Sequence, residues 1–231
     1  MSGAIGAMAF LLAAATFGAR SGEAAETKTL QLSDGTEITY ALVLPAGFKA
    51  ESTYSALLVF AGGPQTMNVV SSTLRRFWES EAYRRGLIVV APAAPTGKPF
   101  FEDGVALVPE FLRQIRAAYP IKDGKFHLGG QSNGGVSAFR AAIRYPELFN
   151  SLTVLAGFPE NDEDFERLDR VKDLKISLFV GDGDVYWKDG MARTVARLSA
   201  LGKEAYFEVI PRNGHFLPDL SPERLFDRIG R

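Results

Sequence analysis

Short apolar runs alternate with amphipathic stretches of helical period along most of the chain. Ala56–Phe60 (ALLVF), Leu87–Ala91, Ser151–Ala156 and Ile176–Val180 read as strands covered on both faces, where no polar alternation is required. Lys28–Leu32 and Glu37–Leu44 form a hairpin about Ser33-Asp34-Gly35. Phe126–Gly129 and Ala205–Ile210 complete eight strands. Helical spacing covers Val69–Arg85, Gly104–Tyr119 (stopped by Pro120), Gly134–Tyr145 (stopped by Pro146), Gly190–Leu201 (closed by Gly202) and Pro222–Ile229. Glu160–Leu174 is acidic and partly helical, with Asn161–Glu166 as a solvated helix start. A hairpin followed by repeated strand–helix units predicts an α/β fold, a mostly parallel eight-stranded sheet with helices on both faces. No linker, repeat or low-complexity stretch interrupts it, so residues 26–231 read as one domain.

The N-terminus breaks this pattern. Ala4–Phe17 (AIGAMAFLLAAATF) has the length of a signal-peptide core and is short for a bilayer span. Small residues around Gly22-Glu23-Ala24 offer a cleavage site. No Lys or Arg precedes the run, which leaves a terminal apolar helix packed on the domain as the alternative. Residues 1–25 are therefore expected to be a signal peptide, and the mature protein to be secreted or periplasmic, with no stable membrane anchor.

Composition narrows the chemistry. At 231 residues, 46% hydrophobic and 23% charged, with a formal net charge of −1, the chain suits one sizeable soluble domain and lacks a nucleic-acid footprint. Cysteine is absent, which removes disulfides, thiolate metal sites and a cysteine nucleophile. With only two histidines, His127 and His215, a multi-histidine metal site is not expected. No cofactor is implied, and any catalytic imidazole must be one of these two.

The segment Leu128–Val136 (LGGQSNGGV) places four glycines around Ser132 between a strand and a helix. Gly130-Gln131-Ser132-Asn133-Gly134 fits G-x-S-x-G, in which glycines clear space around a strained turn that presents the serine. The helix behind it points its positive end at any anion formed there. A phosphate loop would need a following lysine or G-x-G-x-x-G spacing, and neither is present; a plain tight turn is the other alternative.

A serine hydroxyl is a weak nucleophile at neutral pH and needs a base, which in turn needs a carboxylate to orient it. Both follow in the order Ser, Asp, His, each just after a strand. Gly181-Asp182-Gly183-Asp184 follows Ile176–Val180, and Asn213-Gly214-His215 follows Ala205–Ile210. Asp184 is the preferred acid, with Asp182 as a helper or turn-former. A calcium loop built on Asp182, Asp184 and Asp189 lacks EF-hand spacing. His127 lies within a strand and reads as a structural histidine. An oxyanion hole needs two backbone N–H groups, and the candidates are Asn133 and Gly63, the latter in Ala61-Gly62-Gly63-Pro64.

Tyr40–Phe48 (YALVLPAGF), Leu57–Pro64 (LLVFAGGP), Gly130–Gly135 (GQSNGG), Arg144–Phe149 (RYPELF), Val180–Asp184 (VGDGD) and Asn213–Phe216 (NGHF) together resemble the α/β-hydrolases. The likeness runs from about Leu30 to the C-terminus and is strongest to small secreted esterases of the polyhydroxybutyrate depolymerase-like, feruloyl and phospholipase/carboxylesterase types. It implies Ser132 as nucleophile, Asp184 as acid and His215 as base. Such enzymes usually carry His-Gly after the third strand, and here Ala61 stands in place of that histidine. The lid position, Gly157–Leu174, is short, which implies an open cleft suited to a small-molecule or polymer ester.

Phe100, Phe101, Phe158, Tyr186 and Trp187 fall on expected strand-end loops and are candidate pocket residues, with local packing as the alternative for each. Ester hydrolysis through an acyl-enzyme is the leading expectation. A prolyl-oligopeptidase-type peptidase and a non-catalytic binding module on a hydrolase scaffold are the alternatives.

Overall fold

The computed structural model describes residues 25–229, so the apolar run Ala4–Phe17 and its reading as a signal peptide lie outside the described residues. Eight strands form one sheet: β1 (Glu26–Gln31), β2 (Glu37–Val43), β3 (Tyr54–Phe60), β4 (Leu87–Pro92), β5 (Ile121–Gln131), β6 (Phe149–Leu155), β7 (Lys175–Gly181) and β8 (Tyr206–Ile210). Their spatial order is β1-β2-β4-β3-β5-β6-β7-β8. β1 pairs antiparallel with β2 and β2 with β4, and every later pairing is parallel. The carboxyl ends of β3, β5, β7 and β8 therefore share one edge, where a ligand of such a sheet is expected to bind.

The side-chain period of two divides the core between the faces. Along β3, Ala56, Leu58 and Phe60 face one layer, built on α3 (Val108–Ala118), α4 (Asn133–Arg144) and α6 (Val185–Ala200). Leu57 and Val59 face the other, built on α1 (Met67–Thr73), α2 (Glu79–Arg85) and α7 (Pro222–Phe226). Among the described residues no helix is long and apolar enough to cross a membrane.

Several boundaries differ from the sequence pattern. The helix expected over Val69–Arg85 is continuous from Met67 but contains a π turn, Leu74–Trp78, that buries Leu74, Phe77 and Trp78 together. β5 begins at Ile121, earlier than the apolar pattern indicates, because the register to β3 shifts between Ile121 and Phe126 and polar Lys122–Lys125 carries no apolar signal. α6 starts at Val185, directly after Asp184, so Tyr186 and Trp187 are helical and not in a loop. The acidic run becomes α5 (Asp162–Glu166), capped by Asn161. Its Asp164 turns inward and accepts from Arg140 Nε of α4 at 2.7 Å, so this helix start is docked, not fully solvated.

A second ion-pair group fastens the α2–α7 corner. Glu81 accepts from Arg84 Nε (2.8 Å), Arg84 Nη2 (2.6 Å) and Arg85 Nε (2.6 Å), while Arg85 Nη1 reaches Asp227 at 2.9 Å. Hydrogen bonds from Arg84, assisted by Arg85, hold the nearly buried Glu81 carboxyl down at about 2. A depressed folded-state value stabilises the protein at pH above the unfolded value of 4.5, and that contribution disappears as pH falls toward 2. Glu81→Gln is expected to lower stability by about 1–2 kcal/mol at pH 7. Urea unfolding of both proteins at pH 7 and near pH 3 should show the gap closing with acid.

Candidate active site

β5 ends at Gln131 and α4 begins at Asn133, leaving Ser132 alone at the junction with φ 56° and ψ −126°. An L-residue holds such a conformation at a cost of about 1–3 kcal/mol, and only where its surroundings impose it. Here the Ser132 N–H donates to Leu155 O of β6 at 2.9 Å, and Ser132 O receives the Gly135 and Val136 N–H groups that open the helix. A Cβ at Gly130 would lie 2.1 Å from Gly134 O, and one at Gly134 would lie 2.1 Å from Phe60 O. The two flanking glycines are thus required by close backbone approach.

Asp184 and His215 converge on this turn from the loops after β7 and β8. His215 Nε2 stands 2.9 Å from Ser132 Oγ, and His215 Nδ1 stands 2.7 Å from Asp184 Oδ2. With Asp184 ionised, Nδ1–H donates to the carboxylate and Nε2 is left to accept the serine proton. The loops are stitched together, since Asp182 N–H donates to Ile210 O (3.1 Å) and Gly183 N–H to Asn213 O (3.0 Å). The Asp182 carboxyl makes no contact with the imidazole. The Arg212 backbone N–H, the largest influence on it, holds it below the usual carboxylate range. Buried Asn213 closes the histidine loop, donating to Asp219 Oδ2 at 2.7 Å and accepting from Asp219 N–H at 3.0 Å. Sequence reasoning missed Asn213 and Asp219, although an Asn two residues before His215 is the kind of local polar signal that could have found them.

The loop after β3 passes directly over the serine. A Cβ at Gly62 would sit 3.1 Å from Gln131 O and 3.2 Å from Ser132 Cβ. Gly63 follows with φ +53°, and its carbonyl accepts from the Asn133 side-chain amide at 3.2 Å. Asn133 is the first residue of α4, where backbone N–H groups have no intrahelical acceptor. The two candidate oxyanion donors therefore belong to segments tied to each other beside the serine.

A family model described as "Putative esterase" matches residues 33–207. The chain belongs to this family. Its sheet and helices are those of an α/β-hydrolase, as the sequence implied. A search of curated proteins finds no match. Among solved structures, a thermostable esterase superposes with a TM-score of 0.73 at 19% identity, over 89% of this chain and 63% of that one. A ferulic acid esterase gives 0.65 at 20% identity, over 83% of this chain and 90% of that one. The dipeptidyl peptidase 4 of Porphyromonas gingivalis gives 0.72 at 13% identity, over 88% of this chain and 34% of that one. The chain thus spans less than two thirds of the thermostable esterase and about a third of the peptidase. At these identities the likeness is one of fold.

In this esterase-family chain a cavity of about 490 Å³ opens at Ser132 and His215. Its walls include Val69, Thr73, Arg76 and Phe77 from α1 and the π turn, together with Phe216 of the histidine loop. Arg76 Nη2 also donates to Leu217 O (3.0 Å) and Pro218 O (2.8 Å), fastening that wall to the histidine loop. None of the five aromatic residues expected to line a pocket lines this cavity. Phe100 is buried against Phe60, with ring centroids 4.9 Å apart, and Phe101 is half-buried with its carbonyl accepting from Arg140. Phe158 is buried against α6, where Gly190 leaves space for its ring. Tyr186 is exposed and donates its hydroxyl to Glu160. Trp187 stands beside the site, its ring 5.6 Å from that of His215. The wall residues escaped the sequence pattern because the face a helix turns toward Ser132 depends on how it docks.

His127 occupies β5, paired through Nδ1 to Ser151 Oγ at 2.8 Å, and burial, then Lys175, lowers its pKa below the usual imidazole value. It takes no part in the Ser132 cluster.

The positive φ of Ser132 yields a stability prediction. Glycine adopts this conformation without Cβ strain, at the cost of a more flexible unfolded chain. Ser132→Gly is expected to be more stable than Ser132→Ala by about 1 kcal/mol, measurable by thermal or urea unfolding.

Proposed function

We propose that this protein is a serine carboxylic-ester hydrolase working through an acyl-enzyme. The observation that carries the proposal is the continuous hydrogen-bonded line from Asp184 through His215 to Ser132 Oγ, at the mouth of a largely apolar cavity. His215 takes the Ser132 proton as Oγ attacks the ester carbonyl, and Asp184 stabilises the imidazolium. The tetrahedral oxyanion is received by the Asn133 and Gly63 N–H groups, and the dipole of α4 favours the same charge. His215 then protonates the leaving alcohol. A water molecule, deprotonated by His215, releases the acid and restores Ser132. Every group needed comes from the chain, and no cofactor enters the scheme.

The acyl group has a natural place in the cavity between the α1 wall and Phe216, and the open approach suits a small-molecule or polymer ester. Ser132→Ala is expected to abolish p-nitrophenyl acetate turnover with the fold retained. Asp184→Asn should lower kcat by about 10⁴-fold, as loss of the orienting carboxylate does elsewhere, whereas Asp182→Asn should leave most activity. Undiminished turnover by Ser132→Ala would overturn the proposal. Chromogenic peptide amides test the peptidase reading in the same assay, and fluorophosphonate labelling of Ser132 tests the non-catalytic one.

Acyl length should report the cavity. Each methylene entering it is worth about 0.8 kcal/mol, or about fourfold in kcat/KM. The rise from acetate to butyrate and hexanoate esters should flatten in Val69→Trp, where an indole fills the same space. An unchanged chain-length profile in that variant would place the acyl group elsewhere.

A further inference from the structure

We propose that Gln65 is a positioning residue that sets both oxyanion donors, an inference that rests on the esterase reading of Ser132. Gln65 follows the Gly62-Gly63-Pro64 turn and is wholly buried, with φ 54°. It does not line the cavity and makes no hydrogen bond to Ser132, so its effect on catalysis passes through other groups. Its side-chain amide nitrogen joins the two segments that carry the donors, and its oxygen anchors it to a third. Nε2 donates to Ala61 O at 3.1 Å and to Ser137 Oγ at 2.9 Å, and Ser137 Oγ in turn donates to Asn133 O at 2.8 Å. Oε1 accepts the Phe100 N–H at 2.8 Å. The amide orientation is unambiguous, because a carbonyl faces one end and a backbone N–H the other.

The main chain of Gln65 completes the clamp. Its N–H donates to Gly62 O at 3.1 Å, and its carbonyl accepts from Ala94 N–H at 2.9 Å. Gly63 therefore lies within a loop held on both sides by one residue, while Asn133 is reached through a single hydroxyl. Ala61 offers only its backbone to this network, and the second side-chain brace on the loop is the Asn133 amide, which donates to Gly63 O at 3.2 Å. A strained, buried, fully bonded residue at this place is what a pre-set pair of donors requires, since donors displaced by a fraction of an ångström lose much of their effect on an oxyanion.

Alanine would leave the Ala61 carbonyl and Phe100 N–H without partners. A carboxylate in Gln65→Glu keeps the acceptor for Phe100 but supplies no donor unless it is protonated. The two variants therefore separate bracing of the loop from simple filling of space.

The test is steady-state kinetics of the full chain with p-nitrophenyl acetate, together with the affinity of an alkyl trifluoromethyl ketone, which forms a tetrahedral adduct on the serine. Thermal unfolding accompanies each variant. Gln65→Ala is expected to lower kcat by about 10–100-fold, less than complete removal of a donor, with KM changed no more than about threefold. The ketone should weaken by the same factor as kcat/KM. Gln65→Glu should also lose kcat, and its activity relative to the wild type should recover as pH is lowered and the carboxyl becomes a donor. Near-normal kcat in a folded variant, a rise in KM alone, or ketone affinity that does not follow kcat/KM would overturn the proposal. So would failure of both variants to fold, which assigns Gln65 to the scaffold. A wild type without turnover, or an active Ser132→Ala, fails the esterase reading instead, whatever the Gln65 variants do.

Discussion

The whole site depends on one backbone conformation, that of Ser132 at φ 56° between β5 and α4. A serine does not hold it unaided, and three surrounding features impose it. Leu155 O captures the Ser132 N–H, the first turn of α4 closes on the Ser132 carbonyl, and Gly134 lets that turn press against Phe60 O at the end of β3. β3 and α4 meet without a Cβ between them, and the chain leaving β3 runs beside the serine, with Gly62 packed against Gln131 O and Ser132 Cβ.

The neighbouring strands supply the other groups by the same logic. In a parallel sheet the carboxyl ends of β5, β7 and β8 lie at one edge, so their loops meet there whatever their sequences. What those sequences add is stiffness. Asn213 and Asp219 close the loop that carries His215, Gly183 fastens the Asp184 turn to it, and Arg76 ties it to the cavity wall. A rigid sheet holding short, cross-bonded loops gives the 2.7 Å and 2.9 Å contacts of the histidine without a large supporting structure.

The cavity side is organised differently. The helix running from Met67 to Arg85 would, if regular, sweep its side chains evenly around its axis. Its π turn instead buries Leu74, Phe77 and Trp78 against the sheet layer while Thr73, Arg76 and Phe77 border the cavity. π turns recur at functional sites because they re-aim side chains locally without breaking the helix. The aromatic residues nearest α6 serve mainly to pack that helix, with Trp187 beside the histidine as the exception.

What the linear sequence by itself determined were the features encoded locally. The strand–helix alternation follows from the two side-chain periods, the elbow from glycines spaced about Ser132, and the order Ser132, Asp184, His215 from loops that each follow an apolar strand. Residues without an apolar period, such as Lys122–Lys125 in β5 and Val185–Trp187 in α6, were assigned wrongly or too late. Only the tertiary structure decided which face of α1 forms the cavity, that Phe100 and Phe158 are core, and that Gln65 and Asn213 brace the site. Those outcomes depend on docking angles and on hydrogen bonds between residues far apart in the chain, such as Gln65 to Ser137. Periodicity records which side of an element avoids water; it does not record which partner that side will meet.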